Sequence, residues 1–247
     1  MAIRQFLAMT PGEILAESVL PENLGWMGCQ FSASGKGLTQ IPEALPKGSL
    51  LIITDQTPPD GHDPKQIQAE AAAVVEKLKC CGILLDFQRP CIAENAIIAE
   101  KILENAPCPV AISEHYSKKL DCPVFLPPVP PYMVPEDFLR PWQGREIWLE
   151  LALDGMDISV AKDGSTYIPV PYPTLSGYIH QDSQLHCHYS MDVTKDAIRF
   201  HLMRMKEDIS PLLTACEAYG VTTAIGLYQE FVQYIFYRRH LEKQNIF

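Results

Sequence analysis

A short apolar run that ends in two polar side chains holds the residues best suited to chemistry. The run begins at Gly82 and ends at Asp86 and Gln88. Because side chains alternate along a β-strand, Gly82, Leu84, Asp86 and Gln88 share one face. A carboxyl group at the end of such a face suits general acid–base chemistry, in which one carboxyl stays protonated while another is ionised. The pattern therefore predicts a polar site where this strand ends.

Polar residues also follow other apolar segments, and in a parallel barrel these strand ends would meet at one rim. We expect Asp86, Gln88, Glu150 and Glu230 to be the candidate catalytic residues. The candidate ligand-binding residues are Gln30, Asp55, Gln56, Glu114, His115, His201, Tyr228. The alternative is that these positions are polar only because water reaches the rim of any barrel.

The elements that would position these residues alternate between strands and helices. The predicted strands cover residues 5–10, 26–31, 49–54, 82–88, 109–113, 146–153, 197–203 and 223–228. The clearest helices are predicted at residues 64–79, 92–105, 208–219 and 230–242, the first with Asp63 as N-cap and Pro64 at its first position. Residues 124–126 are not counted, because the prolines that follow cannot lie in a central strand. This alternation over 247 residues predicts an α/β fold, a single-domain (β/α)8 TIM-type barrel over residues 1–247.

Residues 154–196 break the alternation. An Asp163-Gly164 turn lies between two segments that read as a β-hairpin, and a further antiparallel strand follows at 185–191. We therefore expect a β-rich insertion between strands six and seven of the barrel. Since it would follow the C-terminal end of a strand, it should cover the C-terminal face.

The predicted fourth strand resembles the signature of the chitinase-like glycoside hydrolases of family 18, whose pattern is Asp-Gly-x-Asp-x-Asp-aromatic-Glu. Gly82, Asp86 and Phe87 match that pattern, whereas Cys81, Leu84 and Gln88 replace its first Asp, second Asp and final Glu. In that family the final Glu protonates the glycosidic oxygen and the last Asp orients the acetamide of the substrate. The resemblance implies that Asp86 keeps the orienting role. It also implies that the general acid is missing, because an amide has no proton to give. Tyr228 falls where the family has an aromatic residue on the eighth strand.

A second group of polar residues could bind a metal ion. His186 and His188 alternate along a predicted strand, with His180 and Asp182 just before them. No third ligand from a barrel strand accompanies the pair, so we expect an exposed hairpin face, no bound metal and no cofactor. The sequence contains no glycine-rich phosphate loop, nucleophile elbow or dinucleotide fingerprint.

Composition narrows the class of partner. A net charge of −10 without a basic cluster argues against nucleic acid, and no apolar run is long enough to span a bilayer. The N-terminus lacks a secretory signal, so we expect a cytoplasmic protein in which the eight cysteines are reduced thiols. The expected partner is a small molecule or a carbohydrate, and the oligomeric state is open.

Four functions stay open at this point. We prefer a glycoside-hydrolase-like barrel with an altered active centre that binds a sugar-like ligand at its C-terminal rim. The second is an active glycosidase that uses other rim carboxylates, such as Glu150 and Glu230 with Asp86. The third is a metal-dependent hydrolase that uses the histidine pair, and the fourth is a barrel kept only for protein interaction.

Overall fold

Eight parallel strands close into a barrel in this computed structural model, which describes residues 2–90, 92–118, 120–170 and 175–231. Pairing of the first strand with both the second and the last closes the ring. A single antiparallel strand of two residues joins the second strand, and a separate five-stranded antiparallel sheet stands outside the barrel. The strands are β1 (Arg4–Met9), β2 (Leu24–Phe31), β3 (Leu38–Thr39), β4 (Leu50–Thr54), β5 (Gly82–Asp86), β6 (Val110–Ser113), β7 (Val124–Leu126), β8 (Ile147–Leu151), β9 (Gly155–Ala161), β10 (Gly164–Val170), β11 (His180–Asp182), β12 (Cys187–Val193), β13 (Ala197–Met203) and β14 (Val221–Leu227).

The helices follow the barrel strands. They are α1 (Pro11–Ala16), α2 (Pro64–Leu78), α3 (Ala93–Asn105), α4 (Glu114–Ser117), α5 (Pro135–Leu139) and α6 (Lys206–Glu217), with a 3₁₀ turn at Arg140–Trp142. The prediction for α2 is confirmed at its start, where the Asp63 side chain accepts a hydrogen bond from the Lys65 N–H and Pro64 occupies the first turn. The segment predicted as a last helix, residues 230–242, lies mostly outside the described residues.

The barrel strands are buried on both faces, as parallel strands require. Leu84 of β5 faces the lumen, which Phe125, Trp148 and Ile225 also fill from their own strands. Ile83 and Leu85 face outward into the cluster formed with α2 and α3. The two faces predicted for the fourth strand are therefore confirmed.

The predicted count of eight barrel strands is confirmed, but one member of the set is wrong. The sixth barrel strand is Val124–Leu126, which pairs in parallel with β6 and β8. Prolines 123 and 127 flank this strand instead of interrupting it, so the missing N–H groups fall outside its three residues. Ala197–Met203, predicted as the seventh strand, pairs antiparallel with β9 and β12 in the outer sheet.

The inserted sheet therefore runs from β9 to β13 and lies between barrel strands seven and eight, not between six and seven. Its strand order is β10-β9-β13-β12-β11. It leaves the barrel at the C-terminal end of β8 and returns through α6. That it covers the C-terminal face stays a prediction.

Candidate functional site

A cavity of about 160 Å³ opens at the C-terminal ends of four neighbouring barrel strands. The fourth to seventh strands of the barrel each contribute to its wall. It is lined by Asp86, Phe87, Gln88, Ser113, Glu114, His115, Phe125, Pro127 and Glu150. The structure thus brings together five of the predicted site residues, namely Asp86, Gln88, Glu114, His115 and Glu150.

The loop that carries Gln88 is held by a buried carboxylate. Asp55, only 2% exposed, accepts hydrogen bonds from the backbone N–H groups of Gln88 at 3.0 Å and Arg89 at 3.1 Å. Its second oxygen also accepts a bond from Asn95 Nδ2 at 2.8 Å, and Asn95 donates to the Tyr116 hydroxyl. A carboxylate that accepts three such bonds is occupied within the protein. Asp55 therefore positions the loop, and its contact with a ligand stays a prediction.

Gln88 and Asp86 face each other across the cavity entrance. Gln88 is exposed, and its Nε2 donates to Asp86 Oδ2 over 3.4 Å. Burial raises the pKa of Asp86 to about 6; the Gln88 amide works against that shift, and the charge on Asp55 adds to it. The expected amide therefore lies beside the expected carboxyl, and the carboxyl begins to take up protons only slightly below neutral pH.

Glu150 is the second carboxyl group of the cavity. Burial raises its pKa to about 7, and the negative charges of Asp86, Glu230 and Asp154 raise it further in that order. Glu230 lies beside the end of β8, where one of its oxygens accepts the Leu153 N–H. Burial likewise raises the pKa of Glu230. The hydrogen bond from Leu153 lowers this pKa, and the negative charge on Asp154 raises it further.

The chemistry open to this arrangement follows from those pKa values. At neutral pH Glu150 is about half protonated, while Asp86 is largely ionised. A proton donor and a proton acceptor therefore occupy one cavity, as general acid–base catalysis requires. The same groups can equally form charge-assisted hydrogen bonds with the hydroxyl or amide groups of a bound ligand.

Two predicted ligand-binding residues lie near the rim but do not line the cavity. Gln30 is opposite Thr39 of β3, and its carbonyl accepts the Thr39 hydroxyl at 3.3 Å. The Gln56 carbonyl accepts a bond from the Arg89 guanidinium at 2.7 Å. Both backbones support loops of the second and third barrel strands.

His201 is not a rim residue, so that expectation is wrong. It lies on β13 of the inserted sheet, where Nδ1 is 2.7 Å from Asp157 Oδ1 and Nε2 is 3.2 Å from Asp192 Oδ2. The error follows from counting β13 as a barrel strand.

Tyr228 does not face the lumen either. Ile225 is the lumen residue of β14, whereas Ala224 and Gly226 face outward, opposite to the prediction. The small residues are needed on the outside, because a Cβ on Gly226 would lie 2.4 Å from the Phe231 ring. Tyr228 packs against the outer cluster and bonds Glu17.

The histidine pair does not form a metal centre. His186 has a left-handed backbone with φ of 50°, so it leaves the strand alternation that would place it beside His188. Nδ1 of His188 lies 2.9 Å from Asp208 Oδ2, and His180 stacks between Tyr178 and Tyr189. Among the residues with described positions, no three His, Cys, Asp or Glu side chains converge as metal ligands would.

Sequence reasoning missed five residues around the site. Phe87 was not among the candidates because it belongs to the apolar face of its strand. Phe125 and Pro127 were missed because their strand was not counted, and Ser113 because it ends a strand as part of a buried run. Asp154 follows β8 and raises the pKa of Glu150. Its position directly after a strand rich in Leu could have indicated that Asp154 lies at the rim of the barrel.

No family model matches the sequence, and no curated protein matches it. Solved structures do resemble the fold. The spore cortex-lytic enzyme SleL of Bacillus cereus aligns over 91% of this chain and 70% of its own, at 11% identity and a TM-score of 0.55. A GH18 chitinase of Cycas revoluta, crystallised with (GlcNAc)3, covers 90% and 94% of the two chains at 10% identity and a TM-score of 0.55. The chitinase-like agglutinin RobpsCRA of Robinia pseudoacacia covers 91% and 94% at 12% identity and 0.53.

The part of the chain with described positions contains no helix that has both the length and the apolar character to cross a bilayer. All seven cysteines with described positions are free thiols.

The architecture, a closed barrel of eight parallel strands, is shared with all three of these structures. In fold, this chain is an eight-stranded α/β barrel of the TIM type, like these three structures.

Proposed function

We propose that this protein binds an N-acetylglucosamine-containing oligosaccharide in the cavity at Asp86 and Glu150 without the turnover that family 18 enzymes perform. The observation that carries the proposal is Gln88. Its amide stands at the end of the fourth strand, exposed at the cavity and 3.4 Å from Asp86, where the family signature has a glutamic acid. A neutral amide can donate a hydrogen bond to a ligand but cannot protonate a leaving group.

The cavity suits a single sugar unit. Its volume of about 160 Å³ is well below the roughly 300–1,000 Å³ of sites that enclose drug-sized ligands. Asp86, Gln88, Glu114 and Glu150 offer acceptors and one amide donor around it. By resemblance to the family, Asp86 would orient the acetamide group of that sugar. The GH18 chitinase of similar fold was crystallised with (GlcNAc)3, which makes this trisaccharide the first ligand to test.

The proposal also covers the mouth of the cavity and the location of the protein in the cell. The inserted sheet would form one side of the mouth, since it begins directly after Asp154, whose charge acts on Glu150. The expected location is the cytoplasm, which fractionation of the source cells would check.

The test compares binding and turnover of (GlcNAc)3. Calorimetry should show binding by the wild type, at least tenfold weaker binding by Asp86→Asn, and no released sugar from either protein. Gln88→Glu places an acid in a loop that Asp55 already holds by its backbone, so it should fold as the wild type does. General acid catalysis is worth ~10² to 10⁴ in rate, so wild-type hydrolysis at the rate of an active chitinase would overturn the proposal. No binding of (GlcNAc)3 or longer oligomers would overturn it as well.

A glycosidase that uses a different acid is the second candidate. The pKa of about 7 on Glu150, next to Asp86 at about 6, favours it. In that case the wild type hydrolyses the sugar, Glu150→Gln abolishes the activity, and Gln88→Ala retains it. The pH profile of kcat/KM would then fall on both sides of a maximum between the two pKa values.

A further inference from the structure

The inserted sheet has one apolar face, which we define by eight residues. Pairing across the strands places Ile158 opposite Phe200 and Tyr167, Phe200 opposite Met191, and Ile198 opposite Val160 and Val193. Directly paired residues point to the same side of a sheet. The apolar face comprises Ile158, Val160, Tyr167, Tyr189, Met191, Val193, Ile198 and Phe200.

The other face of the same sheet is polar. Asp157, Ser159, Arg199, His201 and Asp192 alternate with the residues above, and His201 bonds both aspartates. Antiparallel sheets normally place such a polar face in water and bury the opposite face. This sheet should therefore bury its apolar face against a further layer.

Among the described residues, no such layer covers this face. Val193 is 69% exposed, Tyr167 53%, Met191 46%, Val160 40% and Ile198 38%. None of the buried apolar clusters formed by the described residues includes a member of the apolar face. The apolar face is thus in contact with solvent across four strands.

The size of this surface matches that of a small, reversible interface. Its four strands lie about 4.8 Å apart and are about seven residues long, which at about 3.4 Å per residue gives a footprint of roughly 460 Å². Few monomeric proteins expose a contiguous apolar patch much larger than this. Two copies together would cover roughly 900 Å², close to the ~1,000 Å² expected of a specific interface and consistent with a dimer that dissociates at low concentration.

We propose that the apolar face is a homodimer interface, in which the inserted sheets of two copies pack face to face about a two-fold axis. Sheets pack in this way about 10 Å apart with nearly aligned strands. A two-fold axis requires only that the patch be complementary to itself. The eight residues carry no formal charge, so two chains of net charge −10 can meet there without opposing charges at the centre.

Other occupants fit this surface less well. Tyr178, His180 and Tyr189 stack on one another, with ring centroids 6.4 and 5.2 Å apart and ring planes within 26°. His180 therefore lies between the two tyrosine rings, and its faces are not open as a platform for a sugar ring. The aliphatic side chains offer no hydrogen-bond partner for hydroxyl groups, and no lysine or arginine of the face could bind phosphate.

Sedimentation equilibrium of the full chain from 1 to 100 μM tests the proposal. We expect a particle of about twice the chain mass of 27.7 kDa at the upper concentrations. Met191→Lys and Ile198→Lys should raise the dimer dissociation constant at least tenfold, because each places a charge at the interface. Thr166→Lys, an exposed position on the polar face of the same sheet, is the matched control and should change it less than twofold.

A second measurement does not depend on any variant. Amide hydrogen exchange in β9, β12 and β13 should slow as the wild-type concentration rises, while exchange in the barrel strands stays constant. A wild type that is monomeric at 100 μM would overturn the proposal. A dimer that all three variants weaken alike would also overturn it. The same holds if the protein is monomeric and Met191→Lys abolishes the binding of (GlcNAc)3, because the face would then bind a glycan. This dimer does not depend on the proposed carbohydrate site.

Discussion

The barrel and the inserted sheet use apolar side chains in opposite ways. All five residues of β4 are buried, because helices cover one face and the filled lumen covers the other. In β10, six of seven residues are exposed. In the barrel, an apolar residue contributes to stability because its neighbours enclose it. In the inserted sheet, an apolar residue stays exposed and is available for contact with another molecule.

The largest difference between the two regions should appear on truncating aromatic residues. Trp148, 1% exposed, fills the lumen, so Trp148→Ala should lower the free energy of unfolding by about 3–5 kcal/mol. Urea denaturation measures this. Tyr167→Ala in the inserted sheet is the matched variant and should cost less than about 1 kcal/mol at concentrations where the chain is monomeric. Equal losses would remove the distinction between the regions.

The pH dependence of barrel stability should be the next largest effect. Since folding raises the pKa of Glu150 to about 7, the folded state holds a proton that the unfolded chain has released above about pH 4.5. Stability is then full below pH 4.5 and falls as the pH rises through 7. Glu150→Gln should reduce this fall between pH 5 and 8 by on the order of 2 kcal/mol. Unfolding curves at several pH values check it, and an unchanged slope would contradict the assigned burial of the carboxyl.

Adding a single methyl group inside the barrel should have a smaller effect. A Cβ on Gly82 would lie 2.9 Å from the Trp148 ring and 3.1 Å from Leu50. Gly82→Ala should therefore cost about 1–3 kcal/mol in thermal or urea unfolding. Gly12→Ala is the control, because nothing lies within 4 Å of its added carbon. A neutral Gly82→Ala would mean that the lumen is loosely packed.

The smallest effect should be the pH response of the inserted sheet. Although burial alone would lower the pKa of His201, its hydrogen bonds to Asp157 and Asp192 raise it. Both ring nitrogens donate only when the ring is protonated, so the stabilisation is full below the ordinary pKa and is lost as the pH rises through the raised one. The protection factors of amides in β9, β12 and β13, which correct for the intrinsic rise of exchange with pH, should fall across that range in the wild type but not in His201→Gln. Faster exchange in the barrel strands as well would show that the two regions open together.

The barrel fold could be predicted from the sequence because its strands are continuous apolar runs that alternate with helices. Sequence reasoning assigned both faces of β5 correctly, since Ile83 and Leu84 are both enclosed and only Asp86 turns polar. It did not count Val124–Leu126 as a barrel strand because of the prolines beside it. A proline disrupts a strand only where its missing N–H is needed for pairing, and the sequence alone does not show which N–H groups pair. Sequence reasoning expected Tyr228 at the rim of the lumen, whereas Ala224 and Gly226 on the same strand allow close packing on the outside. Contacts between distant segments decided both cases.

The Asp55 carboxylate has a consequence for how the site could change over generations. It grips the backbone at residues 88 and 89, and a backbone N–H is the same whatever side chain it carries. The backbone conformation of the loop therefore does not depend on which side chain residue 88 carries. Altering the first base of a glutamine codon gives a glutamate codon, so a lineage could exchange amide for acid at position 88 without rebuilding the fold around it.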